Sequence, residues 1–526
     1  MLTYEFPYAS QRMPVMAKNI VATSQPLAAQ AGLRMLLAGG NAVDAAIASA
    51  ITLTIVEPTM NGIGSDAFAI VWDGHELHGL NASGRSPAGL SASKFVGQDT
   101  MTVLGWDAVT VPGAVSAWVA LSQKLGKLPF EALFEPAVHY ARDGFAVSPI
   151  TAKLWARALP RYDAFPEFAA HFAPAGRAPH PGEIFKSEEQ ARTLEQIAST
   201  QGEAFYRGPL ADKIVAHASA TGGLLSEADL ANHQADWVGT IFQDYSGSAL
   251  HEIPPNGQGL AALIALGMLQ HHPLTDMPVD SADSLHVQLE AMKLAYADAY
   301  RYIADPQAMD VEVSSLLDPS YLKTRAALID MSKAGDPQHG QPPSSSTIYL
   351  TTADASGMMV SFIQSNYMGF GSGIVVPNTG ISLQNRGAGF VLEDGHPNQV
   401  GPNKRPYHTI IPGFLMENDA PLMSFGVMGG PMQPQGHMQM VIRIRDYGQN
   451  PQTASDAPRW QVFEGRKVGV EAGFDDAVLD DLRSRGHDIT IMDPLMFGGA
   501  QLIHRLPEGG YVAGSDHRKD GGAVGY

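Results

Sequence analysis

The segment Thr347-Ile348-Tyr349-Leu350-Thr351-Thr352-Ala353 decides the fold, because it is a predicted strand that begins with a hydroxyl residue. Its β-branched and aromatic residues favour extended structure. Residues 341–346 before it are Gln-Pro-Pro-Ser-Ser-Ser, which predicts a loop. A turn-like Asp354-Ala355-Ser356-Gly357 and a second predicted strand over residues 358–364 follow it. The segment therefore opens a predicted hairpin.

A hydroxyl residue at the head of a strand, beside a loop that could be cut, is suited to be an amino-terminal nucleophile. If the Ser346–Thr347 bond were broken, the new α-amine would lie beside the threonine Oγ. An α-amine has a pKa of about 7.7–8.0, so it can act as a base near neutral pH. An ordinary loop entering an ordinary hairpin has the same local pattern, and both interpretations stay open on this stretch alone.

Apolar spacing along the chain predicts an α/β protein with mostly antiparallel strand connections. Helices are predicted over residues 26–38 and over residues 285–303. A further helix is predicted to begin at Asn41, with Asp44 three positions later. Predicted strands include residues 67–72, 466–471 and 489–492, and a final hairpin spans residues 501–513. The stretch 160–181, rich in proline, alanine and aromatics, is predicted to be an irregular surface excursion.

Short motifs occur from one end of the chain to the other, with Thr347 among them. They lie at residues 26–28, 39–46, 61–64, 111–114, 126–129, 290–298, 370–373, 402–406, 429–430, 457–459, 514–518 and 523–526. In their order and spacing, the motifs resemble the γ-glutamyltransferase family of N-terminal nucleophile hydrolases. No single motif is specific, and the resemblance rests on the set.

The resemblance implies an α/β (α+β) fold with four layers, in which two stacked antiparallel sheets lie between two helical layers. It implies that the chain cuts itself into a large piece, residues 1–346, and a small piece, residues 347–526, which form one intertwined domain. Thr347 Oγ would then attack an amide, and water or an amine would release the acyl group. The resemblance implies no cofactor and no metal.

The glycine pair Gly429-Gly430 follows a strand-like run over residues 424–428. Backbone N–H groups of glycine can approach a ligand closely because no Cβ intervenes. By the resemblance, this pair would stabilise the oxyanion that acyl transfer creates. A simple turn is the alternative interpretation.

Four positions depart from the family pattern in the part that would bind substrate. Gly389 stands where the family has an aspartate that holds the substrate α-amino group, and Arg386 replaces a glutamine. This exchange favours a substrate that has a carboxylate but no firmly held ammonium. His408 and Thr409 replace two serines, so one hydroxyl remains.

Three further residues are candidates for the site. Arg85 is the candidate carboxylate-binding arginine, although it lies two residues nearer the next proline than in the family, and a surface arginine is the alternative. Ser365 is in register with a family hydroxyl that would assist processing. Asn366 lies one place before the family's asparagine, so its side chain would reach substrate only if a bulge shifts the strand.

Several functions are compatible with these residues. The first is a self-processing γ-glutamyltransferase or glutathione hydrolase, and the second is an acylase for glutaryl-type amides, as in the related cephalosporin acylases. The third is an uncut relative that binds a small ligand without catalysis. A nucleotide site at residues 369–373 is disfavoured because it lacks a phosphate-loop lysine. Zinc and serine-hydrolase signatures are not found in the sequence.

Composition narrows the possible partners to small molecules. The 526 residues carry a formal net charge of −19, which disfavours nucleic acids and anionic membranes. The sequence has no cysteine, and this excludes disulfides, thiolate catalysis and cysteine-bound zinc. Residues 1–7 show no basic run before an apolar core, so the predicted location is the cytoplasm. A homo-oligomer is compatible with the sequence.

Overall fold

The computed structural model describes Tyr4, residues 11–337 and residues 346–526. Of the predicted loop over residues 341–346, residues 341–345 lie outside this range, and Ser346 belongs to the strand that follows rather than to a loop. The helices of the described part are α1 Pro26–Leu37, α2 Ala42–Val56, α3 Ala114–Leu125, α4 Glu135–Asp143, α5 Pro149–Ala158, α6 Pro166–Phe172, α7 Glu188–Ser199, α8 Glu203–Arg207, α9 Pro209–Thr221, α10 Glu227–Ala231, α11 Gly259–Leu269, α12 Ala282–Tyr302, α13 Val313–Leu316, α14 Pro319–Ala326, α15 Met432–Arg445, α16 Pro451–Asp456 and α17 Asp476–Ser484.

The strands of the same part are β1 Val15–Ala17, β2 Ile20–Thr23, β3 Asp66–Trp72, β4 Leu77–Asn81, β5 Phe145–Ala146, β6 Ile184–Phe185, β7 Asp236–Trp237, β8 Ile241–Tyr245, β9 Ser248–Glu252, β10 Ser346–Ala353, β11 Met359–Tyr367, β12 Val375–Val376, β13 Ile381–Ser382, β14 Gly413–Glu417, β15 Ala420–Val427, β16 Trp460–Val462, β17 Lys467–Val470, β18 Asp488–Ile491, β19 Ala500–Arg505, β20 Tyr511–Ser515 and β21 Gly522–Gly525. No helix in the described ranges is both long and apolar enough to cross a membrane.

Two antiparallel sheets of seven strands each form the centre of the molecule. The nucleophile sheet has the strand order β21-β2-β10-β11-β3-β4-β7, and the glycine sheet has the order β1-β20-β19-β15-β14-β9-β8. Strands β10 and β11 of the first sheet face β15 of the second. Each sheet thus contains strands from both sides of residue 347, while the division of the chain at that residue remains a prediction.

Helices cover the outer face of each sheet. Helix α2 lies against β10 and β11 and is buried at every residue, and α1 packs beside it. Helices α11 and α15 cover the glycine sheet, and α12 packs on α11. Helices α2 and α11 are buried along their whole length and are the inner helices of their layers, as expected for mainly apolar helices without an exposed polar face. The predicted four-layer sandwich is confirmed.

Local patterns give the correct start of α2. The Asn41 side chain accepts a hydrogen bond from the Asp44 N–H at 3.0 Å, and the Asp44 carboxylate accepts one from the Asn41 N–H at 2.9 Å. This reciprocal capping satisfies two N–H groups that the first helical turn leaves free.

The prediction of an irregular surface excursion over residues 160–181 is wrong for its first half. Helix α6 lies there, and Tyr162, Phe168 and Phe172 are buried against Phe370. Phe168 and Phe172 are four residues apart, so they share one face of the helix. The many prolines concealed this spacing because one of them is the first residue of the helix.

Candidate active site

Thr347 lies in the part of β10 that has a paired strand on one side only. Strand β10 pairs with β2 only from Leu350 onward, so Thr347 has a strand neighbour on the β11 side alone. Its side chain is fully buried. Thr347 Oγ1 donates to Ser365 Oγ at 3.2 Å and accepts a hydrogen bond from Gln433 Nε2 at 3.3 Å. The hydroxyl is therefore held between two polar side chains.

A bulge in β11 lies directly opposite Thr347. Ser346 pairs with Tyr367 and Ile348 pairs with Gln364, so two residues, Ser365 and Asn366, oppose the single Thr347. Tyr367 has a φ of +78°, which is uncommon for a bulky side chain. The bulge that Asn366 requires is thus present.

The two bulge residues point to different partners. Ser365 Oγ contacts the Thr347 hydroxyl and also accepts a hydrogen bond from the Tyr367 N–H at 2.7 Å. The Asn366 side chain accepts from Ser65 Oγ at 2.8 Å and donates to the Phe370 carbonyl at 3.2 Å. The structure therefore brings Ser365 to Thr347 but binds the Asn366 side chain into a neighbouring polar network.

Gly429 and Gly430 join the end of β15 to the start of α15. Their φ angles are +119° and +60°, in the left-handed half that favours glycine. Neither N–H donates a hydrogen bond to any residue of the described part of the chain. The positive end of the α15 dipole follows directly. Two free N–H groups beside a helix N-terminus can stabilise a developing negative charge.

Gln433 connects the nucleophile to this glycine turn. Its Nε2 donates to Thr347 Oγ1, its Oε1 accepts from the Ile411 N–H at 2.9 Å, and its own N–H donates to the Gly430 carbonyl at 3.0 Å. Gln433 is not among the site residues that the sequence predicts. Its position at the start of the helix after the glycine pair was the available signal.

One cavity of about 250 Å³ is lined by both Thr347 and Gly429, and we call it the Thr347 cavity. Its apolar lining consists mainly of Met60, Leu154, Met368, Met428, Leu495 and Met496. Its charged lining consists of Arg157, Arg161 and Lys519, and no acidic side chain is among the described residues that line it. The cavity is thus apolar with a positive charge.

A second positively charged side chain, Arg386, belongs to a group of residues on the side of Ser365 that faces away from Thr347. We call it the Arg386 cluster: Asp66, Arg386, His408 and Thr409, all buried. Asp66 is directly opposite Ser365 on the neighbouring strand. Arg386 Nη1 donates to Thr409 Oγ1 at 2.7 Å. Its guanidinium lies 4.3 Å from the centre of the Tyr367 ring, a cation–π distance.

The guanidinium of Arg386 has unused donors. Arg386 Nε and Nη2 are buried, and neither meets an acceptor among the residues that the structure describes. Buried donors of this kind cost free energy unless a ligand or water satisfies them. The cluster therefore has the chemistry of a site for a carboxylate, which accepts two hydrogen bonds from a guanidinium.

Burial shifts the charges of this cluster in a definite direction. Burial raises the pKa of Asp66 to about 7, although Arg386 and the N–H groups of Gly84 and Gly113 oppose the shift. Burial lowers the pKa of Arg386 to about 10, and Asp66 opposes this. Burial holds the pKa of His408 far below its usual value, so the ring is neutral. The Ile410 N–H donates to its Nδ1 at 3.4 Å, which leaves Nε2–H to donate to Asp66 Oδ2 at 3.1 Å. At neutral pH the arginine keeps its charge while the other two are partly or wholly neutral.

Two positions that the sequence pointed to, Arg85 and Gly389, do not line the Thr347 cavity. Arg85 Nη1 binds Asp305 Oδ2 at 2.6 Å and the Asn403 carbonyl at 3.0 Å, and its side chain is 35% exposed. It does not line the Thr347 cavity. At Gly389 a Cβ atom would lie 2.5 Å from the Tyr407 carbonyl oxygen, so the backbone leaves no room for any side chain there.

Known proteins are similar to this chain over almost its full length. Residues 28–526 match the sequence model of a family described as Gamma-glutamyltranspeptidase. The chain is 36% identical over 521 residues to the glutathione hydrolase-like YwrD proenzyme of Bacillus subtilis, covering 97% of this chain and 98% of that protein. It is 35% identical over 517 residues to the oxamate amidohydrolase proenzyme of Klebsiella pneumoniae, covering 95% and 97%.

A solved structure is similar over the whole length. The cephalosporin acylase from Bacillus halodurans superposes with a TM-score of 0.96 at 49% identity, covering 100% of this chain and 99% of that one.

Proposed function

The chain belongs to the gamma-glutamyltranspeptidase family, and from that premise we propose that it is a proenzyme that cuts itself before Thr347. The mature enzyme then cleaves amides of acids that carry a second carboxylate, γ-glutamyl amides and glutathione among them. The acyl group passes to water or to an amine. The observation that carries this proposal is the Thr347 hydroxyl, held by Ser365 and Gln433 beside two N–H groups that donate to no acceptor among the described residues.

In the proposed self-cleavage, Thr347 Oγ attacks the carbonyl carbon of Ser346. The peptide C–N bond breaks as an ester forms, and the nitrogen becomes the free α-amine of Thr347. Water then hydrolyses the ester, which gives the Ser346 carboxylate and restores the hydroxyl. The Oγ proton ends on the nitrogen of the new α-amine, and Ser365, whose Oγ accepts from the threonine hydroxyl at 3.2 Å, relays it by accepting that proton and passing on its own.

In the proposed turnover, the α-amine takes the Oγ proton while Oγ attacks the amide carbon of the substrate. The N–H groups of Gly429 and Gly430 receive the negative oxygen, a contribution of about 3–4 kcal/mol per donor in comparable enzymes. The amine leaves with the proton, and a water or a second amine attacks the acyl-enzyme. Gln433 keeps the hydroxyl oriented toward the glycine turn.

Arg386 and Thr409 are the proposed carboxylate site for the acyl group, because the guanidinium has two unused donors there. A second candidate function is an acylase that accepts glutaryl-type groups without an α-amine. Two observations favour it: position 389 has no room for the family aspartate, and the Thr347 cavity has no acidic lining among the described residues. Asp66, the carboxylate of the Arg386 cluster, already accepts a hydrogen bond from His408.

Three p-nitroanilides test the proposal, since they differ only at the end of a five-carbon acyl chain. We expect the γ-glutamyl and glutaryl compounds to be turned over with kcat/KM values within about tenfold of each other. The valeryl compound, which lacks the second carboxylate, should react at least about 30-fold more slowly, because a lost charged contact costs about 2–5 kcal/mol. A γ-glutamyl preference above 100-fold would reject the second candidate. Equal turnover of the valeryl compound would reject the carboxylate site.

Restoring the family aspartate at position 389 is expected to fail. Gly389→Asp should not raise the preference for γ-glutamyl over glutaryl anilide. It should lower the thermal midpoint, since forcing a side chain into filled space costs about 1–3 kcal/mol. The matched control is Gly401→Asp, where a Cβ meets nothing within 4 Å. Differential scanning fluorimetry and the anilide ratio check both statements, and a stable variant with a new γ-glutamyl preference would contradict them.

A further inference from the structure

Asp66 is a fully buried carboxylate in the Arg386 cluster, and the chemistry described above gives it no task. Its Oδ1 accepts hydrogen bonds from the N–H groups of Gly113 at 3.0 Å and Gly84 at 3.4 Å. Its Oδ2 accepts one from His408 Nε2–H at 3.1 Å. Because the His408 ring is neutral, both oxygens are held by donors that carry no formal charge.

The buried cation beside this carboxylate is not paired with it. The charge of Arg386 opposes the rise in the pKa of Asp66, so the two groups interact, but no ion pair joins them among the described residues. Arg386 Nη1 donates to Thr409 Oγ1, while Nε and Nη2 meet no acceptor in the part of the chain that the structure describes. A ligand carboxylate that binds these two donors therefore comes close to a second carboxylate.

The other titratable rings near Asp66 are neutral between pH 6 and pH 8. Burial raises the pKa of Tyr367 to about 12 and raises that of Tyr206 well above its usual value. Burial also lowers the pKa of His233 to about 3. The charge of this buried region therefore does not change through these rings.

A second arginine near Asp66 already has a carboxylate partner of its own. Arg405, whose charge also opposes the rise in the pKa of Asp66, binds Asp236 Oδ2 through Nη2 at 2.8 Å. The net charge of the Arg386 cluster is therefore decided by Asp66. It is zero when Asp66 is ionised and +1 when Asp66 is protonated.

A bound carboxylate changes this balance. If Asp66 is ionised, the ligand leaves a net charge of −1 in a buried place, whereas with Asp66 protonated the ligand and Arg386 neutralise each other. Burying an uncompensated charge is costly, and two carboxylates that share a site favour one proton between them. A protonated carboxyl group also has an O–H that it can donate to a carboxylate oxygen.

We propose that Asp66 takes up one proton from the solvent when the carboxylate of an acyl group binds Arg386. The Asp66 carboxylate becomes a carboxylic acid and donates its O–H to the ligand, which stays ionised against the guanidinium. This inference rests on the proposed function, which places the acyl carboxylate at Arg386. Asp66 is then a specificity-determining residue, because its protonation favours acyl groups that carry a second carboxylate and makes no difference to uncharged ones.

The direction of the pH dependence follows from the charge of Asp66. Burial raises its pKa to about 7, with Arg386 opposing the shift, so the acid form dominates at pH 6 and the anion at pH 8. Affinity for a second carboxylate should therefore fall as the pH rises through this range. The protonated fraction of a group with this pKa falls about tenfold from pH 6 to pH 8, which sets the size of the expected effect.

The glutaryl and valeryl p-nitroanilides test this proposal, since titration of the α-amine of Thr347 affects both and cancels in the ratio of their kcat/KM values. In the wild type, the glutaryl-to-valeryl ratio should fall about tenfold from pH 6 to pH 8. Asp66→Asn is neutral at every pH, so its ratio should not change with pH and should exceed the wild-type ratio at pH 8.

The matched control is Asp73→Asn, which removes a carboxylate directly after the same strand, β3, and outside the Arg386 cluster. This variant should keep the wild-type pH profile of the ratio. A wild-type ratio that is independent of pH would overturn the proposal. A ratio that still falls in Asp66→Asn would overturn it as well, because another group would then carry the proton.

Proton uptake on binding separates this inference from the proposed function. Titration calorimetry at pH 8, in two buffers of different ionisation enthalpy, counts the protons that enter with glutarate. The Thr347→Ala chain is used because it forms no α-amine that could titrate. We expect about one proton for each glutarate bound, and in the double variant Asp66→Asn, Thr347→Ala we expect tighter binding without proton uptake.

Each outcome of the calorimetry has a separate meaning. Binding of glutarate without proton uptake would overturn the inference alone, whereas a failure of glutarate to bind would overturn the carboxylate site together with it. If proton-coupled binding is found but the wild type turns over no anilide, the proposed function fails while the inference stands. Thermal unfolding of each variant shows whether it is folded.

Discussion

The Thr347→Ala variant is expected to remain a single chain of 56.0 kDa, while the wild type separates into pieces of about 37 and 19 kDa. These masses divide the chain in the ratio of 346 to 180 residues. The physical reason is that a methyl group cannot attack the Ser346 carbonyl, so neither the ester nor the free α-amine can form. Intact mass spectrometry and amino-terminal sequencing of the smaller piece measure the result.

Thr347→Ser is the matched control, because it keeps the hydroxyl and removes only the methyl group. It should cut, though more slowly, and should retain anilide turnover. Turnover by Thr347→Ala should fall below detection, since the loss of a nucleophile removes the covalent route altogether. A Thr347→Ala chain that still cuts before residue 347 would show that another group carries the reaction. A wild type that stays whole after long incubation would instead favour a ligand-binding relative without catalysis.

Arg386→Met is expected to reduce kcat/KM for the glutaryl anilide by about 100- to 1000-fold, equal to about 2.7–4 kcal/mol. The substitution removes the two unused guanidinium donors that would bind a substrate carboxylate, while the methionine side chain fills most of the volume of the arginine. Turnover of the valeryl anilide, which has no carboxylate to lose, should change much less. The discriminating measurement is therefore the glutaryl-to-valeryl ratio.

Arg85→Met provides the comparison, since Arg85 is the other arginine that the sequence offers for this task. Its guanidinium binds Asp305 and is partly exposed, so we expect the ratio to change little. The double variant Asp66→Asn, Arg386→Met separates substrate binding from folding, because it leaves no uncompensated charge in the Arg386 cluster. A larger loss of the ratio in Arg85→Met than in Arg386→Met would assign the carboxylate to Arg85.

Much of the fold could be predicted because its signals are local. The strand after Thr347, the capped start of α2 and the final hairpin all lie where the residue patterns indicate. The layered arrangement came from the family resemblance, since local patterns do not specify how sheets stack. The buried aromatic residues of α6 were not predicted, because the proline-rich composition of residues 160–181 concealed the four-residue spacing of Phe168 and Phe172.

The site was harder to predict because its parts come together from distant positions. Gln433 is 86 residues from the hydroxyl that it contacts, and Lys519 is 459 residues from Met60. A lone glutamine or lysine has no spacing that distinguishes it from a surface residue. The departure at Gly389 was visible in the sequence, but only the position of the Tyr407 carbonyl shows that the space itself is closed.

The interleaving of the sheets has a consequence for the fate of the cut molecule. Strands β10 and β11 lie between β2 and β3, and β1, β8 and β9 share the other sheet with β14, β15, β19 and β20. If the chain is cut before Thr347, the two polypeptides cannot separate without breaking the hydrogen bonds between strands in both sheets. Their dissociation and the unfolding of the whole protein would be one event, so dilution alone would never yield a lone, folded fragment.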